Sequence, residues 1–153
     1  MTISPRRFRD AIGMFPTGVA VVTASGPAGL TTNAISSLSL DPVLLLVCFD
    51  NGSRTLPAVR DSRRFGVNVL RADQEELARV FASKRVAKEK FASATHELVD
   101  GVPVLEGVVA WFVCELRDLV PGGDHTIGIG EVTALDHDAG AEPLMFHRGG
   151  YRA

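Results

Sequence analysis

The stretch that decides the fold is Leu30–Phe49, which reads LTTNAISSLSLDPVLLLVCF. Six of its first ten residues carry hydroxyl or amide side chains, whereas its second half is among the most apolar segments of the chain. An Asp-Pro pair separates the halves, because proline lacks a backbone donor and restricts the residue before it. We therefore predict a polar strand over Leu30–Leu40 and a buried strand over Val43–Phe49.

Outward from this stretch, the pattern predicts further short elements. Ser4-Pro5 has the form of a helix cap with a first-turn proline, and apolar residues then recur at helical spacing. Asp73, with Glu76 three residues later, resembles a capping box at the start of another helix. The other expected elements are strands over 17–24, 65–70, 108–119, 127–135 and 144–147, and helices over 5–14, 54–61 and 84–92.

These elements predict the fold class. About six or seven strands and three or four short helices are expected, and they do not alternate as in a parallel doubly wound sheet. Strands separated by turn signals favour a mainly β protein, an antiparallel β-barrel with short helices. The length of 153 residues predicts a single domain over residues 1–153.

The composition argues against several classes of function. A net charge of −2 disfavours a nucleic-acid partner. The longest apolar runs are far shorter than the ~20 residues of a membrane helix, and no signal peptide is visible, so we expect a cytoplasmic protein without a membrane contact. Cys48 and Cys114 lie in apolar runs and predict two buried thiols rather than a disulfide.

Two familiar site motifs are rejected. Gly128-Ile129-Gly130 resembles part of a dinucleotide fingerprint, but Thr133 stands where the third glycine belongs, and the pair lies within a predicted strand. The four histidines show no metal-ligand spacing, so no metal site is expected.

The polar segment Thr31–Ser39 has two open interpretations. It is either a solvated edge strand or the wall of a pocket that hydrogen-bonds a flat heterocycle, since an apolar strand follows it at once. Ala34 and Ser36 are small enough for a ring to approach the backbone. Backbone N–H groups there could meet charge that develops on a ligand.

The turn Asp50–Thr55, DNGSRT, has the composition of a phosphate site. A glycine turn that opens a helix presents free N–H groups, and a helix N-terminus carries about half a positive charge. Ser53 and Thr55 add hydroxyl donors, and Arg54 adds a cationic fork. The competing interpretation is an ordinary helix cap by Ser53. Together with the polar segment, this turn predicts one ligand with a polar ring and a phosphate.

Two further motifs lie towards the end of the chain. In GGDHT, residues 122–126, Asp124 precedes His125 at a turn before a strand, so the imidazole either faces a cleft or is simply exposed. The segment Arg148–Arg152 is interpreted either as a frayed tail or as an aromatic and cationic lid.

Several segments follow one another from residue 8 to residue 152: FRDAIGMFPTGVAVVTA, GLTTNAISSLSLDPVLLLVCFDNGSRT, FGVNVL, LARVFAS, GVPVLEG, CEL, GGDHTIGIGEV and PLMFHRGGYR. Their order and spacing resemble the short-chain flavin reductase family, the reductase components of two-component flavin-dependent monooxygenases. The resemblance implies a Greek-key split barrel that binds FMN or FAD, usually as a homodimer with the flavin near the subunit interface.

The resemblance also implies which residues contact the cofactors. The flavin-binding set comprises Thr31, Thr32, Asn33, Ala34, Ser36, Ser37, Asp50, Asn51, Ser53, Arg54, Thr55, Ser83 and Lys84. The nicotinamide-binding set comprises His125, Tyr151 and Arg152, with His125 as a positioning residue and no side chain required as a nucleophile. The Asn51-Gly52 pair departs from the family, which tends to carry less flexible residues there.

The implied activity is hydride transfer from NADH or NADPH to FMN or FAD, with reduced flavin passed to a separate oxygenase. Three alternatives stay open at this point. One is an oxidoreductase that retains FMN on the same barrel, another is a non-catalytic flavin-binding module, and the third is a structural barrel with an empty pocket.

Overall fold

Twelve strands and four helices make up the chain, and the structure, a computed structural model, describes all residues from 1 to 153. The helices are α1 (Pro5–Ile12), α2 (Thr55–Ser62), α3 (Glu75–Ala82) and α4 (Ala87–Ala92). The strands are β1 (Thr17–Gly18), β2 (Ala20–Ala24), β3 (Ala28–Thr32), β4 (Ile35–Leu40), β5 (Val43–Asp50), β6 (Arg64–Val69), β7 (His96–Val99), β8 (Val102–Leu105), β9 (Ala110–Gly122), β10 (His125–His137), β11 (Met145–His147) and β12 (Gly150–Arg152).

Seven strands form one antiparallel sheet in the order β3-β2-β6-β9-β10-β5-β4. Strands β3 and β4 therefore lie at opposite edges, although only Asn33 and Ala34 separate them in the chain. A flat sheet of this width would hold its edges about 29 Å apart, whereas the linking residues reach about 11 Å. The sheet must curve until its edges nearly meet, which confirms the predicted mainly β class and is compatible with a split barrel.

Two predictions for the stretch Leu30–Phe49 differ from the observed structure. The single strand predicted over Leu30–Leu40 is wrong, because the chain leaves one sheet edge at Thr32 and joins the other at Ile35. The strand predicted over Val43–Phe49 exists as β5, but only one of its faces is buried. An antiparallel strand alternates its side chains between two faces. The buried residues are Leu45, Val47 and Phe49.

Glycines in β10 allow two aromatic rings to pack against its backbone. The rings of Phe49 and Phe65 meet edge to face with centroids 6.0 Å apart. A Cβ at Gly128 would lie 2.7 Å from the Phe49 ring, and a Cβ at Gly130 would lie 2.6 Å from the Phe65 ring. The two glycines are therefore packing residues within a strand, as the rejection of the dinucleotide fingerprint predicted.

The chain has more strands than predicted. The β7–β8 hairpin and β12 have three or four residues each, too short for an alternating pattern to be recognised. Strands β1, β11 and β12 form a separate three-stranded sheet. Within the segment Arg148–Arg152, the first two residues form a turn and Gly150–Arg152 is a paired strand, so the segment is not a frayed tail.

Two helix starts were also predicted wrongly. Helix α3 begins at Glu75, and Asp73 does not cap it, because its carboxylate accepts a 2.8 Å hydrogen bond from Arg71. Helix α4 begins at Ala87 rather than at Lys84, since residues 84–86 form the loop from α3.

Both cysteines are free thiols. Cys114 is buried as predicted, whereas Cys48 is half-buried, because it lies on the less buried face of β5. No helix combines the length and the apolar character that crossing a membrane would require.

Candidate functional site

A cleft of about 850 Å³ opens between β3, the start of α2 and the loop that joins α3 to α4. It brings together residues from every predicted flavin-binding segment. The predicted residues that line it are Thr31, Thr32, Asp50, Ser53, Arg54, Thr55, Ser83 and Lys84, together with His125 from the predicted nicotinamide side.

The start of α2 supplies the cleft with a turn held by its own side chains. The Gly52 N–H donates to Asp50 Oδ1 at 2.7 Å, and the Leu56 N–H donates to Ser53 Oγ at 3.2 Å. Ser53 therefore does cap the helix, as the competing interpretation expected, and it lines the cleft as well. Its hydroxyl hydrogen has no recorded acceptor, so it can still donate to a ligand.

Arg54 has a structural role in addition to the charge that it contributes. Its Nη2 donates to the carbonyl oxygens of Lys84 and Arg85 at 2.7 and 3.3 Å. The guanidinium thus ties the start of α2 to the α3–α4 loop across the cleft. Arg54 organises two walls of the site while it contributes a fixed positive charge.

The α3–α4 loop is stabilised at Ser83. Its hydroxyl donates to the Val80 carbonyl at 2.6 Å and accepts from the Arg85 N–H at 3.3 Å. The exposed Lys84 follows it along the cleft rim. Both residues belong to the flavin-binding set that the resemblance implies, and both line the cleft.

The cleft also contains residues that sequence reasoning missed: Cys48, Arg85 and, most notably, Lys90. Lys90 lies on α4, a helix interpreted as mostly polar, yet it is buried and only 8% exposed. Its Nζ donates to the Gly29 and Phe81 carbonyl oxygens at 3.1 and 3.0 Å. Burial, and then the charge of Arg54, lower the pKa of its ammonium. No sequence signal distinguished Lys90 from its exposed neighbour Lys88.

His125 enters the cleft from the turn between β9 and β10. Its Nδ1 lies 2.7 Å from Asp124 Oδ1, and this hydrogen bond lowers the pKa of the Asp124 carboxyl. Contact with a carboxylate fixes the orientation of the imidazole ring. The other ring nitrogen is left for a ligand.

Asn51 lies beside the cleft rather than in its lining. Its Oδ1 accepts from Thr126 Oγ1 at 2.6 Å, and its backbone N–H donates to the Asp124 carbonyl at 3.1 Å. The predicted flavin contact by Asn51 is not supported by this placement. The side chain instead holds the turn before α2 against the turn that carries His125.

The polar segment divides between the two sheet edges. Thr31 and Thr32 line the cleft from β3, where Thr31 Oγ1 donates to the Ala78 carbonyl at 2.6 Å. The remaining predicted ring contacts lie outside the cleft lining, in the link to β4 and on β4 itself: Asn33, Ala34, Ser36 and Ser37. One part of the segment therefore lines a cleft and the other part lies on an exposed edge strand, and the contact with a flat heterocycle stays a prediction.

Tyr151 and Arg152 do not line this cleft. The Tyr151 ring lies 5.4 Å from the Phe146 ring, and the Arg79 guanidinium sits over it at 5.1 Å. Arg152 is exposed and pairs with Met145 in the small sheet. Their nicotinamide role stays a prediction.

The donor set of the cleft fits a phosphate-bearing cofactor. Four basic side chains line it and only one carboxylate, that of Asp50, although the whole chain carries a net charge of −2. The basic residues are Arg54, Lys84, Arg85 and Lys90. Basic groups at a helix start are a favourable setting for an anion. No group of three or more His, Cys, Asp and Glu side chains is placed to hold a metal ion.

Fold and cleft together define a mainly β protein with a basic cleft. The family model described as the flavin reductase like domain matches residues 12–153, and the chain belongs to this family. The family resemblance drawn from the motifs is thereby confirmed.

Relatives of known name support the assignment. The chain is 44% identical to a Rhizobium meliloti (strain 1021) protein named "Probable flavin reductase", over 96% of this chain and 48% of that one. It is 39% identical to a flavin reductase of Pseudomonas putida, over 97% of this chain and 89% of that one. The chain thus spans about half the length of the first of these relatives. Other relatives are named as reductase components of flavin-dependent monooxygenases.

A solved structure agrees with the fold. The NADH:FAD oxidoreductase SgcE6 of Streptomyces globisporus, in complex with NAD and FAD fragments, is 36% identical to the chain. The TM-score is 0.92, and the match covers 100% of this chain and 96% of that one.

Proposed function

We propose that the chain is an NAD(P)H-dependent flavin reductase, which transfers hydride from NADH or NADPH to FMN or FAD. The observation that carries the proposal is the cleft, where Thr31 and Thr32, the turn of Ser53–Thr55 and His125 face one space. Relatives named as flavin reductases give independent support. When bound, the flavin accepts the hydride, and the protein supplies position and electrostatics.

The basic end of the cleft holds the phosphate of the flavin in this proposal. Free N–H groups at the start of α2, the Ser53 hydroxyl and nearby cations supply the donors. Thr31 and Thr32 then face the ring end from β3. Because Arg54 is bound to the loop carbonyls, the phosphate-binding wall is organised before the ligand arrives.

His125 positions the nicotinamide rather than acting as an obligate base. The contact with Asp124 orients the imidazole, and His125 lines the cleft. Hydride transfer requires the two rings to stack within about 3–3.5 Å, so a positioning group alone accelerates it.

Two partners belong to the proposal. The reduced flavin passes to a separate oxygenase, as the names of relatives such as the reductase subunit HsaB suggest for those proteins. A second copy of the chain forms a homodimer, supported by apolar side chains left exposed on and beside α1. These are Phe8, Ile12, Met14 and Phe15. One domain over residues 1–153 and a cytoplasmic location stay predictions.

The alternatives are a reductase that retains FMN and a non-catalytic flavin carrier. The names of the relatives do not favour either. Dialysis distinguishes a released flavin from a held one, and bleaching of the flavin by NADH distinguishes an enzyme from a carrier.

A steady-state assay that crosses NADH and NADPH with riboflavin, FMN and FAD tests the proposal. Oxidation of the nicotinamide should be faster than in the protein-free mixture for at least one pair. The same assay identifies the preferred donor and acceptor. No acceleration with any pair would contradict the proposed activity.

A further inference from the structure

Lys90 is a buried ammonium without a carboxylate partner. The residue is only 8% exposed, and its two hydrogen-bond partners are neutral carbonyl groups on β3 and at the end of α3. An ammonium offers three donors, so one N–H has no acceptor within the protein. Burial of an unpaired charge costs folding free energy. Most buried positions therefore hold a neutral side chain or a charge with an opposite partner.

The surroundings increase this cost. The charge that acts on Lys90 is that of Arg54, which is also positive and further disfavours the ammonium. Lys84 and Arg85 line the same cleft. A bound anion would instead favour the charged form of Lys90. It attracts several cations at once and offsets the repulsion between them.

Lys90 also joins two walls of the cleft. The Gly29 backbone packs so closely on the Phe81 ring that a Cβ at Gly29 would lie 2.7 Å from it. The ammonium binds a carbonyl on each side of this contact. The Phe81 carbonyl lies in the last turn of α3, where free carbonyls and the helix dipole favour a cation. The two carbonyl groups therefore require hydrogen-bond donors at position 90, but a neutral donor would satisfy them as well as a charged one.

We propose that Lys90 is a specificity-determining residue, whose charge selects flavins that carry a phosphate over riboflavin. The proposal rests on the proposed function and deepens it. The exposed cations at the rim attract the phosphate. The buried ammonium then stabilises the bound phosphate, because a phosphate oxygen accepts the hydrogen bond from the third N–H of Lys90. A neutral donor at this position would hold the walls but would lose the discrimination.

Titration of FMN and riboflavin against wild type, Lys90→Gln and Lys90→Met tests this, with quenching of flavin fluorescence as the readout. Gln keeps amide donors for the two carbonyls and removes the charge, whereas Met removes both. Lys88→Met, an exposed lysine of the same helix, is the matched control. Circular dichroism establishes that each variant is folded.

Lys90→Gln should weaken FMN about tenfold or more and riboflavin by less than about threefold, as expected for loss of a charge-assisted contact. Lys88→Met should bind both as wild type does. Equal losses of FMN and riboflavin, in Gln and in Met alike, would overturn the proposal and leave Lys90 with a structural role. If wild type bound neither flavin, the proposed function would fail first, and this inference with it.

Discussion

The Thr126 hydroxyl donates a 2.6 Å hydrogen bond to Asn51 Oδ1 and joins the start of β10 to the turn before α2. Two more bonds reinforce the link, from the Asn51 amide groups to the carbonyls of Asp124 and Gly123. The turn that opens α2 and the turn that carries His125 are therefore held at a fixed spacing. In the proposed function, this spacing sets the distance between the phosphate-binding turn and the nicotinamide-binding turn.

Loss of this link should destabilise the fold. Asn51→Ala is expected to lower the free energy of unfolding by about 1–3 kcal/mol, because the buried Thr126 hydroxyl loses its acceptor. Thr126→Val in the same background should then cost less than it does alone. Urea unfolding of the four proteins in this cycle measures the coupling. Strict additivity of the two substitutions would contradict the link.

His125 should govern the nicotinamide more than the flavin. We expect His125→Ala to raise the KM for the nicotinamide about fivefold or more while the flavin Kd changes less than about twofold, since uniform binding of one substrate is lost. Asp124→Asn, which keeps a hydrogen-bond acceptor, should have a smaller effect. An unchanged KM in His125→Ala would remove the histidine from the nicotinamide site.

Much of the cleft lining could be predicted from the sequence, because short contiguous segments contribute most of its polar residues. The turn Asp50–Thr55 and the residues Thr31 and Thr32 both reach the predicted cleft. The division of Leu30–Leu40 between two sheet edges could not be read, since local propensity is the same on either side of Asn33. The curvature of the whole sheet, which depends on long-range strand pairing, decides where the strand breaks.

Lys90 and Asn51 show a second limit. Lysine is almost never buried, so composition gives no reason to choose Lys90 over Lys88. Its burial follows from the packing of α4 on β3, which joins residues 61 positions apart. Asn51 looked like a ligand contact, but its partner Thr126 lies 75 residues away. Pairings at such separations are set by the tertiary fold.

The two cysteines should differ in reactivity, and Cys48 should report on the cleft. Burial raises the pKa of the Cys114 thiol to about 12, so at about pH 8 it stays protonated and inert. Cys48 is half-buried and lines the cleft, so it should react with a thiol reagent. FMN should slow that reaction. Cys48→Ser should abolish labelling, and equal labelling of both thiols would contradict the placement.

Lys90 should make stability depend on alkaline pH. Its pKa is lowered from 10.5 in the folded chain, by burial and then by Arg54, so the unfolded chain keeps this proton to higher pH. Between the folded pKa and 10.5, unfolding therefore takes up a proton, and the contribution of Lys90 to stability rises with pH. Wild type should gain stability relative to Lys90→Gln across this window in urea unfolding. Parallel pH profiles for the two proteins would show that Lys90 does not titrate there.

The central claim is that this cleft catalyses reduction of a flavin. In the most direct measurement, the protein is mixed anaerobically with NADH and with FMN in excess over the protein. A stopped-flow instrument follows the flavin absorbance band at about 450 nm. We predict loss of the band over many turnovers, at least about a hundredfold faster than without protein. A rate equal to that of the protein-free mixture, repeated with NADPH and with FAD, would contradict the account.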